Sequence, residues 1–170
     1  MVTLGLDVST TCVGYAFTQD KKILDMGFID IKKEKTPKEK VFKVLGFLNK
    51  SSYIDEVHDI NVEDNLQGFA GGRTSQQVIV KLAKFNAILC FMLEDMFEME
   101  VHNINPMTAR KNVFGKARVK GIKAKDFVKE EVEKMYNTEK WCKHTTRGNW
   151  DKRNIDAYDG LVMALFEKSS

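Results

Sequence analysis

Apolar and polar residues alternate along the first stretch of the chain. Over 2–8 the even positions are aliphatic, and the odd positions are Thr3, Gly5 and Asp7. A period of two residues is typical of a β-strand with one face on the core. Aspartate is a poor strand former, and a carboxylate removed from water is costly unless it has a partner. The pattern therefore predicts a strand over 2–8 and raises the question of which partner the carboxylate of Asp7 binds.

The rest of the chain continues this pattern of strands and adds helices. Apolar runs at 13–18 and 23–31, joined by a short polar link, predict an antiparallel meander with the first strand. The later predicted elements are a helix within 36–50, a strand over 58–64, a helix over 75–97, a strand over 100–106, a helix over 123–136 and a helix over 153–167. This order indicates an α/β domain with a mixed five-stranded sheet flanked by helices.

The helix predicted over 75–97 is apolar nearly all round its circumference. An amphipathic helix buries a single face, so this one must bury more than one. It either lies between layers of its own domain or contacts a partner. We find no apolar run with the length of a membrane span, which predicts a protein without a membrane contact.

The composition is that of an ordinary globular domain, with 43% hydrophobic and 30% charged residues in a chain of 170 residues. No linker or repeat divides the chain, so we expect one domain over 1–170. The three cysteines are far apart and form no CxxC pair, and the N-terminus has no secretory signal. These features predict an intracellular protein that is not secreted.

Basic residues are concentrated in one segment, although the net charge of +3 is small. The segment 101–125 contains no acidic residue. Its basic residues are Arg110, Lys111, Lys116, Arg118, Lys120, Lys123 and Lys125. Such an excess is typical of a surface that binds a phosphate backbone. A solvated loop with scattered lysines is the alternative explanation of the same residues.

Four acidic residues lie at the ends of predicted elements. Asp7 and Glu63 end strands, and a pair three positions apart, Asp156 and Asp159, shares one face at the start of the last helix. Acidic residues near a helix N-terminus also favour the helix dipole, which requires no further role for that pair. If all four converge, a divalent cation would relieve their mutual repulsion. Carboxylate ligands without a His or Cys set favour Mg²⁺ or Mn²⁺ over zinc.

The order of these motifs resembles the ribonuclease H-like superfamily and, within it, the RuvC-type Holliday junction resolvases. The similar pieces are LGLDVSTTCVGYA at the first strand, INVED at the second acid, the basic stretch NINPMTARKNVFGKARVKGIKAKDFV and the final IDAYDGLVMALF. Each motif is short, and their order and spacing carry the resemblance over nearly the whole chain. A longer polar segment before the last helix departs from the family. A phage, viral or organellar member, in a host cytoplasm or an organelle, would fit this departure.

The resemblance implies a magnesium-dependent endonuclease that resolves four-way DNA junctions. In this sequence Asp7, Glu63, Asp156 and Asp159 would hold two Mg²⁺ ions, for which Mn²⁺ would substitute. A metal-bound water would then attack the phosphodiester in line. Lys123 would stabilise the charge that develops at phosphorus.

The resemblance also implies contacts with branched DNA and between two copies of the chain. The family places the loop after the second acid at the junction centre, and here that loop is 65–75. Phe69 would stack on a base or, alternatively, pack on the core, and Arg73 lies in the same loop. The homodimer contact would be the helix over 75–97. The other expected phosphate contacts are Arg110, Lys111, Lys116, Arg118, Lys120, Lys123, Arg147 and Arg153.

Two other interpretations stay open for the same residues. The four acids would also suit a related nuclease that cleaves RNA–DNA hybrids or other branched DNA. The segment DVSTTCVG is close to the phosphate-binding turn of the sugar kinase and actin superfamily. That architecture needs two such domains, and we expect one domain here.

Overall fold

The computed structural model describes residues 1–64 and 76–168. These residues form one sheet and five α-helices. The strands are β1 (Val2–Val8), β2 (Cys12–Gln19), β3 (Lys22–Asp30), β4 (Val57–Glu63) and β5 (Val101–Ile104). The helices are α1 (Pro37–Leu48), α2 (Gln76–Phe97), α3 (Pro106–Phe114), α4 (Ala124–Met135) and α5 (Asn154–Leu165). A 3₁₀ turn, Ile54–Glu56, precedes β4.

The sheet has the order β3-β2-β1-β4-β5. Strands β1, β2 and β3 are antiparallel, whereas β4 pairs in parallel with β1 and β5 in parallel with β4. Asp20 and Lys21 form the two-residue turn between β2 and β3, with φ values of 48° and 62°. Two residues with positive φ match the twist of the flanking strands. The predicted meander and the mixed five-stranded sheet are therefore confirmed.

Helices cover both faces of the sheet and bury a separate core on each side. The even positions of β1, such as Leu4 and Leu6, pack with Phe17 and with Phe85 and Leu89 of α2, and α1 contributes to the same core. The second core joins β2, β3 and β5 to α3, α4 and α5. Because apolar side chains cover both faces, the acidic residues at the strand ends are also withdrawn from water.

Two glycines let α5 lie directly against the second face of the sheet. A Cβ at Gly5 of β1 would overlap the backbone of Ala164, and a Cβ at Gly14 of β2 would overlap the carbonyl of Asp156. Gly14 is paired with Asp7 across the β1–β2 ladder. The close approach at Gly14 therefore brings the first turn of α5 beside Asp7.

Side-chain hydrogen bonds fix both ends of α5. Thr18 Oγ1 donates to the Ala164 carbonyl at 3.0 Å, and Asn61 Nδ2 donates to the Met163 carbonyl at 3.1 Å. At the other end, Asn154 Oδ1 accepts from the Lys143 amide at 2.9 Å, and Asn154 Nδ2 donates to the Lys143 carbonyl at 2.8 Å. These bonds fix the position of the acids that α5 carries.

The basic segment contains a helix that the sequence analysis did not predict. In α3, Asn105 caps the N-terminus by accepting from the amides of Met107 at 2.9 Å and Thr108 at 3.3 Å. Pro106 occupies the first turn, and Gly115 ends the helix with a φ of 73°. This proline and glycine are typical helix boundaries, but the two basic residues and the weak amphipathicity of the short helix between them hid it from the sequence analysis.

Helix α2 buries one face and exposes another. Leu82, Phe85, Leu89 and Leu93 are buried, whereas Phe91 is 66% exposed. The alternative that the helix is enclosed between layers of its own domain is therefore wrong, and contact with a partner stays a prediction. The sequence analysis found no apolar run with the length of a membrane span, but by length and composition alone α2 is the one helix of the described residues that could cross a membrane; a third of its most apolar stretch is buried. Helices of globular domains can be equally long and apolar, and the buried leucines of α2 belong to the core on this side of the sheet.

Candidate metal centre

Four acidic residues meet at one edge of the sheet. Asp7 lies near the end of β1, and Glu63 is the last residue of β4. The parallel register that pairs Gly5 with Asn61 carries both side chains to this edge. Asp156 and Asp159 lie in the first two turns of α5, which packs across the same strands. We call these four residues the acidic cluster.

Burial and mutual repulsion act on the two strand carboxylates. Burial, followed by the charges of Glu63, Asp159 and Asp156, raises the pKa of Asp7 well above its usual value. Burial, followed by the charge of Asp159, raises the pKa of Glu63 to about 7, although Arg110 opposes this. Both groups are therefore costly to ionise in the folded protein, as expected for carboxylates that lack enough positive charge nearby.

An arginine inside the domain partners Asp159. Arg110 Nη2 donates to Asp159 Oδ1 at 3.1 Å, and both residues are buried. Burial raises the pKa of Asp159, while Arg110 and Lys125 act to lower it. The prediction that Arg110 is a surface phosphate contact needs correction, because α3 turns this side chain inward onto the acidic cluster.

A lysine at the start of α4 partners Asp156. Lys125 Nζ lies 2.9 Å from Asp156 Oδ1, and its side chain is 62% exposed. Partial burial lowers the pKa of Lys125, but the hydrogen bond and the charge of Asp156 raise it overall. Lys123, which was predicted to be the basic residue beside the acids, instead occupies the N-cap of α4. The helix therefore presents Lys125 to the cluster, two positions further along the chain.

The donor set fits a hard divalent cation. The cluster offers carboxylate oxygens, which Mg²⁺ and Mn²⁺ prefer. Glu63 Oε2 is buried and has no hydrogen-bond partner among the described residues, as expected of an atom that awaits a ligand. Over 1–64 and 76–168, however, no three His, Cys, Asp or Glu side chains already stand in a metal-binding arrangement. Arg110 and Lys125 each contact one carboxylate oxygen, Oδ1, of Asp159 and Asp156 respectively.

The other predicted DNA contacts occupy three kinds of position. Lys111, Lys116, Arg118, Lys120, Lys123 and Arg147 are exposed. Lys116 forms an ion pair with Glu131 at 3.3 Å. Phe69 and Arg73 lie outside the described residues, so the structure says nothing of their predicted roles.

Arg153 needs correction as a free phosphate contact. Its guanidinium forms ion pairs of 2.6 Å with both Asp30 and Asp151 and lies over the Phe28 ring. The hydrogen bond from Arg153 lowers the pKa of Asp151. These contacts connect β3 to the residues just before α5 and indicate a structural role.

Two residues of the site escaped the sequence analysis. Lys125 was grouped with the other basic residues, and only the helical phase of α4 distinguishes it from Lys123. Cys12 is buried, and its thiol faces the acidic cluster: burial and then the charge and hydrogen bond of Asp156 raise its pKa. Cys12 lies at the start of β2, directly after the turn that follows Asp7. Only the predicted pairing of β1 with β2 could have indicated that Cys12 lies close to the acidic cluster.

The sheet order, the covering helices and the acidic edge together define a ribonuclease H-like α/β fold. Among solved structures, the chain is similar to a structure of Thermus thermophilus RuvC, with 14% sequence identity and a TM-score of 0.61 over 97% of this chain and 92% of that one. It is also similar to T. thermophilus RuvC in complex with Holliday junction substrate, at 12% identity and a TM-score of 0.62 over 97% and 90%.

A ROK hexokinase from the same organism has a TM-score of 0.43 over 69% of this chain and 39% of its own, at 16% identity. No protein-family model matches the sequence, and no curated protein sequence matches it significantly. The likeness to the two RuvC structures shows a RuvC-like fold.

Proposed function

We propose that this protein is a divalent-metal-dependent endonuclease that resolves four-way DNA junctions. The observation that carries the proposal is the meeting of Asp7, Glu63, Asp156 and Asp159 at one sheet edge, with Glu63 Oε2 buried and without a partner among the described residues. The fold shared with T. thermophilus RuvC, which has been solved with Holliday junction substrate, supports the choice of substrate.

The acidic cluster would bind Mg²⁺ or Mn²⁺, two ions in each site, and these ions would activate a water and stabilise the leaving oxygen. Asp7, Glu63 and Asp159 are the buried members of the set, and burial raises the pKa of all three, so a bound cation would stabilise their ionised forms. Lys125, 62% exposed at the rim, can move from Asp156 to the phosphate oxygens and offset their charge. Arg110 is more enclosed and holds Asp159 in position.

The exposed basic residues around the cluster fit a phosphate backbone. Lys111 lies on α3, and Arg118, Lys120 and Lys123 lie on the loop between α3 and α4. All four are exposed, and none has an ion-pair partner among residues 1–64 and 76–168. Free surface cations of this kind provide the salt-dependent part of DNA binding.

The symmetric cleavage of a junction requires two active sites, so the proposal includes a homodimer. The exposed apolar side of α2 is the candidate contact, with Val80 50%, Ile88 40% and Phe91 66% exposed. Exposed apolar patches on a helix mark interaction surfaces. A two-fold protein also suits a two-fold substrate.

The decisive experiment uses a synthetic four-way DNA junction that is end-labelled on each strand in turn. We expect paired, symmetric nicks with Mg²⁺ or Mn²⁺ and none with EDTA. Asp7→Asn should remove cleavage while junction binding survives, because a ligand is lost and the basic surface is kept. Asp20→Asn, in the exposed β2–β3 turn, is the matched control and should cleave normally.

The alternative nucleases give different results in the same assay. Cleavage of an RNA–DNA hybrid or a flapped duplex, with intact junctions, would keep the metal site and contradict junction resolution. An intracellular location and a phage, viral or organellar source stay predictions.

A further inference from the structure

A cavity of about 340 Å³ opens where the turn after β1 meets α1 and the start of α2. Four lysines line it, together with two threonines of that turn: Lys32, Lys35, Lys40, Lys81, Thr10 and Thr11. No acidic side chain of the described residues lines the cavity. A concave surface with several cations and hydroxyl groups is suited to an anion with many acceptor oxygens.

The four lysines of the cavity differ from many other lysines of the described residues in their ion pairing. Within residues 1–64 and 76–168, none of them forms an ion pair. Lys40 is half-buried and donates to the Thr10 carbonyl. Burial lowers the pKa of Lys40, Glu34 acts to raise it, and Lys81 lowers it again. The carboxylate of Glu34, the acidic group of the described residues that acts on Lys40, is already bound to Lys43 at 2.8 Å.

The cavity is close to the acidic cluster. Thr10 follows Asp7 by three residues, so their Cα atoms are separated by at most about 11 Å. The turn between them is fixed, since Ser9 Oγ donates to the Cys12 carbonyl at 2.8 Å. Successive phosphates of one DNA strand rise by about 3.4 Å along the helix axis. A strand with one phosphate at the acidic cluster therefore has further phosphates within the distance that separates Asp7 from Thr10.

We propose that the lysine cavity binds a phosphate of the cleaved DNA strand, one to three nucleotides from the scissile phosphate. This inference rests on the proposed function for the identity of the strand. Lys35 and Lys81 are the exposed walls of the cavity, and Lys40 fixes the turn that carries Thr10. The cavity would thus set the register of the strand in the active site.

The test measures junction binding in EDTA, where no cleavage occurs, across a range of salt concentrations. The variant is Lys35→Gln/Lys81→Gln, and the control is Lys33→Gln/Lys84→Gln. The control removes two exposed lysines from the same loop and the same helix, neither of which lines the cavity. Thermal unfolding of both variants verifies that they fold.

We expect the cavity variant to bind roughly tenfold more weakly and the control to match the wild type. For the cavity variant, the slope of log affinity against log salt concentration should be about one unit shallower than for the wild type, since each phosphate contact contributes about 0.9. A neutral methylphosphonate placed at successive positions beside the cleavage site should weaken wild-type binding at one position. There the cavity variant should lose nothing further, because both changes remove the same contact.

Equal slopes for the cavity and control variants would overturn the proposal. Additive losses at every methylphosphonate position would also overturn it. Tight binding of inorganic phosphate that needs Lys35 and Lys81, with an unchanged DNA slope, would instead indicate a site for a free anion. A junction that is bound with the expected slope but never cut would contradict the proposed function and still support a DNA phosphate in the cavity.

Discussion

Basic side chains partner two of the four carboxylates in the acidic cluster. Arg110 is buried against Asp159 at 3.1 Å, and Lys125 reaches Asp156 at 2.9 Å from the rim. Among residues 1–64 and 76–168, no basic side chain forms such a contact with Asp7, and burial together with its acidic neighbours raises its pKa. At the scale of single residues, the guanidinium of Arg110 is therefore the enclosed positive charge that holds Asp159. The ammonium of Lys125 is the exposed positive charge, which is free to contact the substrate.

The two lysines at the start of α4 provide a matched test of this difference. Lys125→Ala should slow junction cleavage by about 10²-fold, because a charge near the developing transition state is lost. Lys123→Ala should change the rate by less than about threefold, since Lys123 caps the helix without a side-chain bond. Single-turnover cleavage at saturating protein measures both rates. Equal rates for the two variants would contradict a role for Lys125 in stabilising the transition state.

The sequence was sufficient to select the four acids, because each one interrupts or opens a regular element. It was not sufficient to select their basic partners. Lys123 and Lys125 are both lysines in one basic segment, and the phase of α4 that separates them depends on how α4 packs on α5. Arg110 appeared to be a surface residue because α3, which turns it inward, was not predicted.

At the scale of elements, the contact of α5 with the sheet determines whether the acids meet. Gly14 has no room for a Cβ, because the carbonyl of Asp156 occupies that space. The alternating pattern predicted β1 and β2 and their pairing. It could not predict the glycine contact, since a glycine in a strand is compatible with a bulge, a bend or a close approach.

Substitution of this glycine should displace α5 and disable the cluster. Gly14→Ala should lower the free energy of unfolding by about 1–3 kcal/mol or more, because a backbone overlap must be relieved. It should also reduce cleavage. Gly46→Ala is the control, since Gly46 lies within α1 with open space around its Cβ position. That change should stabilise the helix by about 0.5–1 kcal/mol. Denaturant unfolding of both variants checks the prediction, and a Gly14→Ala variant as stable as the wild type would contradict it.

At the scale of the whole molecule, the proposed homodimer would cover the exposed apolar side of α2. Phe91→Asp should weaken self-association at least about tenfold, because a charge would have to be buried in the dimer. Met135→Asp, at the end of α4 and 48% exposed, should leave association unchanged. Sedimentation equilibrium measures both. A monomeric wild-type protein, or a Phe91→Asp variant that still dimerises with full affinity, would contradict the assignment.

The buried acids should also make stability depend on pH when divalent metal is removed. Glu63 has a pKa of about 7 in the folded protein, against 4.5 for the ordinary group. Between these values the folded protein keeps a proton that the unfolded chain has released, so stability falls as the pH rises. Once the pH has risen past both values, the free energy of unfolding has fallen by roughly 3 kcal/mol on account of Glu63. Asp7 and Asp159, whose pKa values are also raised, act in the same direction.

Thermal unfolding in EDTA should therefore give a lower Tm at pH 8 than at pH 5.5. Mg²⁺ should raise the Tm more at pH 8, because it binds the ionised carboxylates. Glu63→Gln should flatten the dependence on pH. A Tm that rises from pH 5.5 to pH 8 in EDTA would show that folding does not raise the pKa values of these carboxylates.

The most direct test of the central claim is calorimetric titration of the protein with Mn²⁺ at pH 8, without DNA. The claim is that Asp7, Glu63, Asp156 and Asp159 form a site for divalent cations. We predict binding by the wild-type protein, with up to two ions per chain, and its loss in Asp7→Asn, while Asp20→Asn binds as the wild type does. Undiminished binding by Asp7→Asn, or no binding by the folded wild-type protein, would contradict the metal site and with it the proposed mechanism.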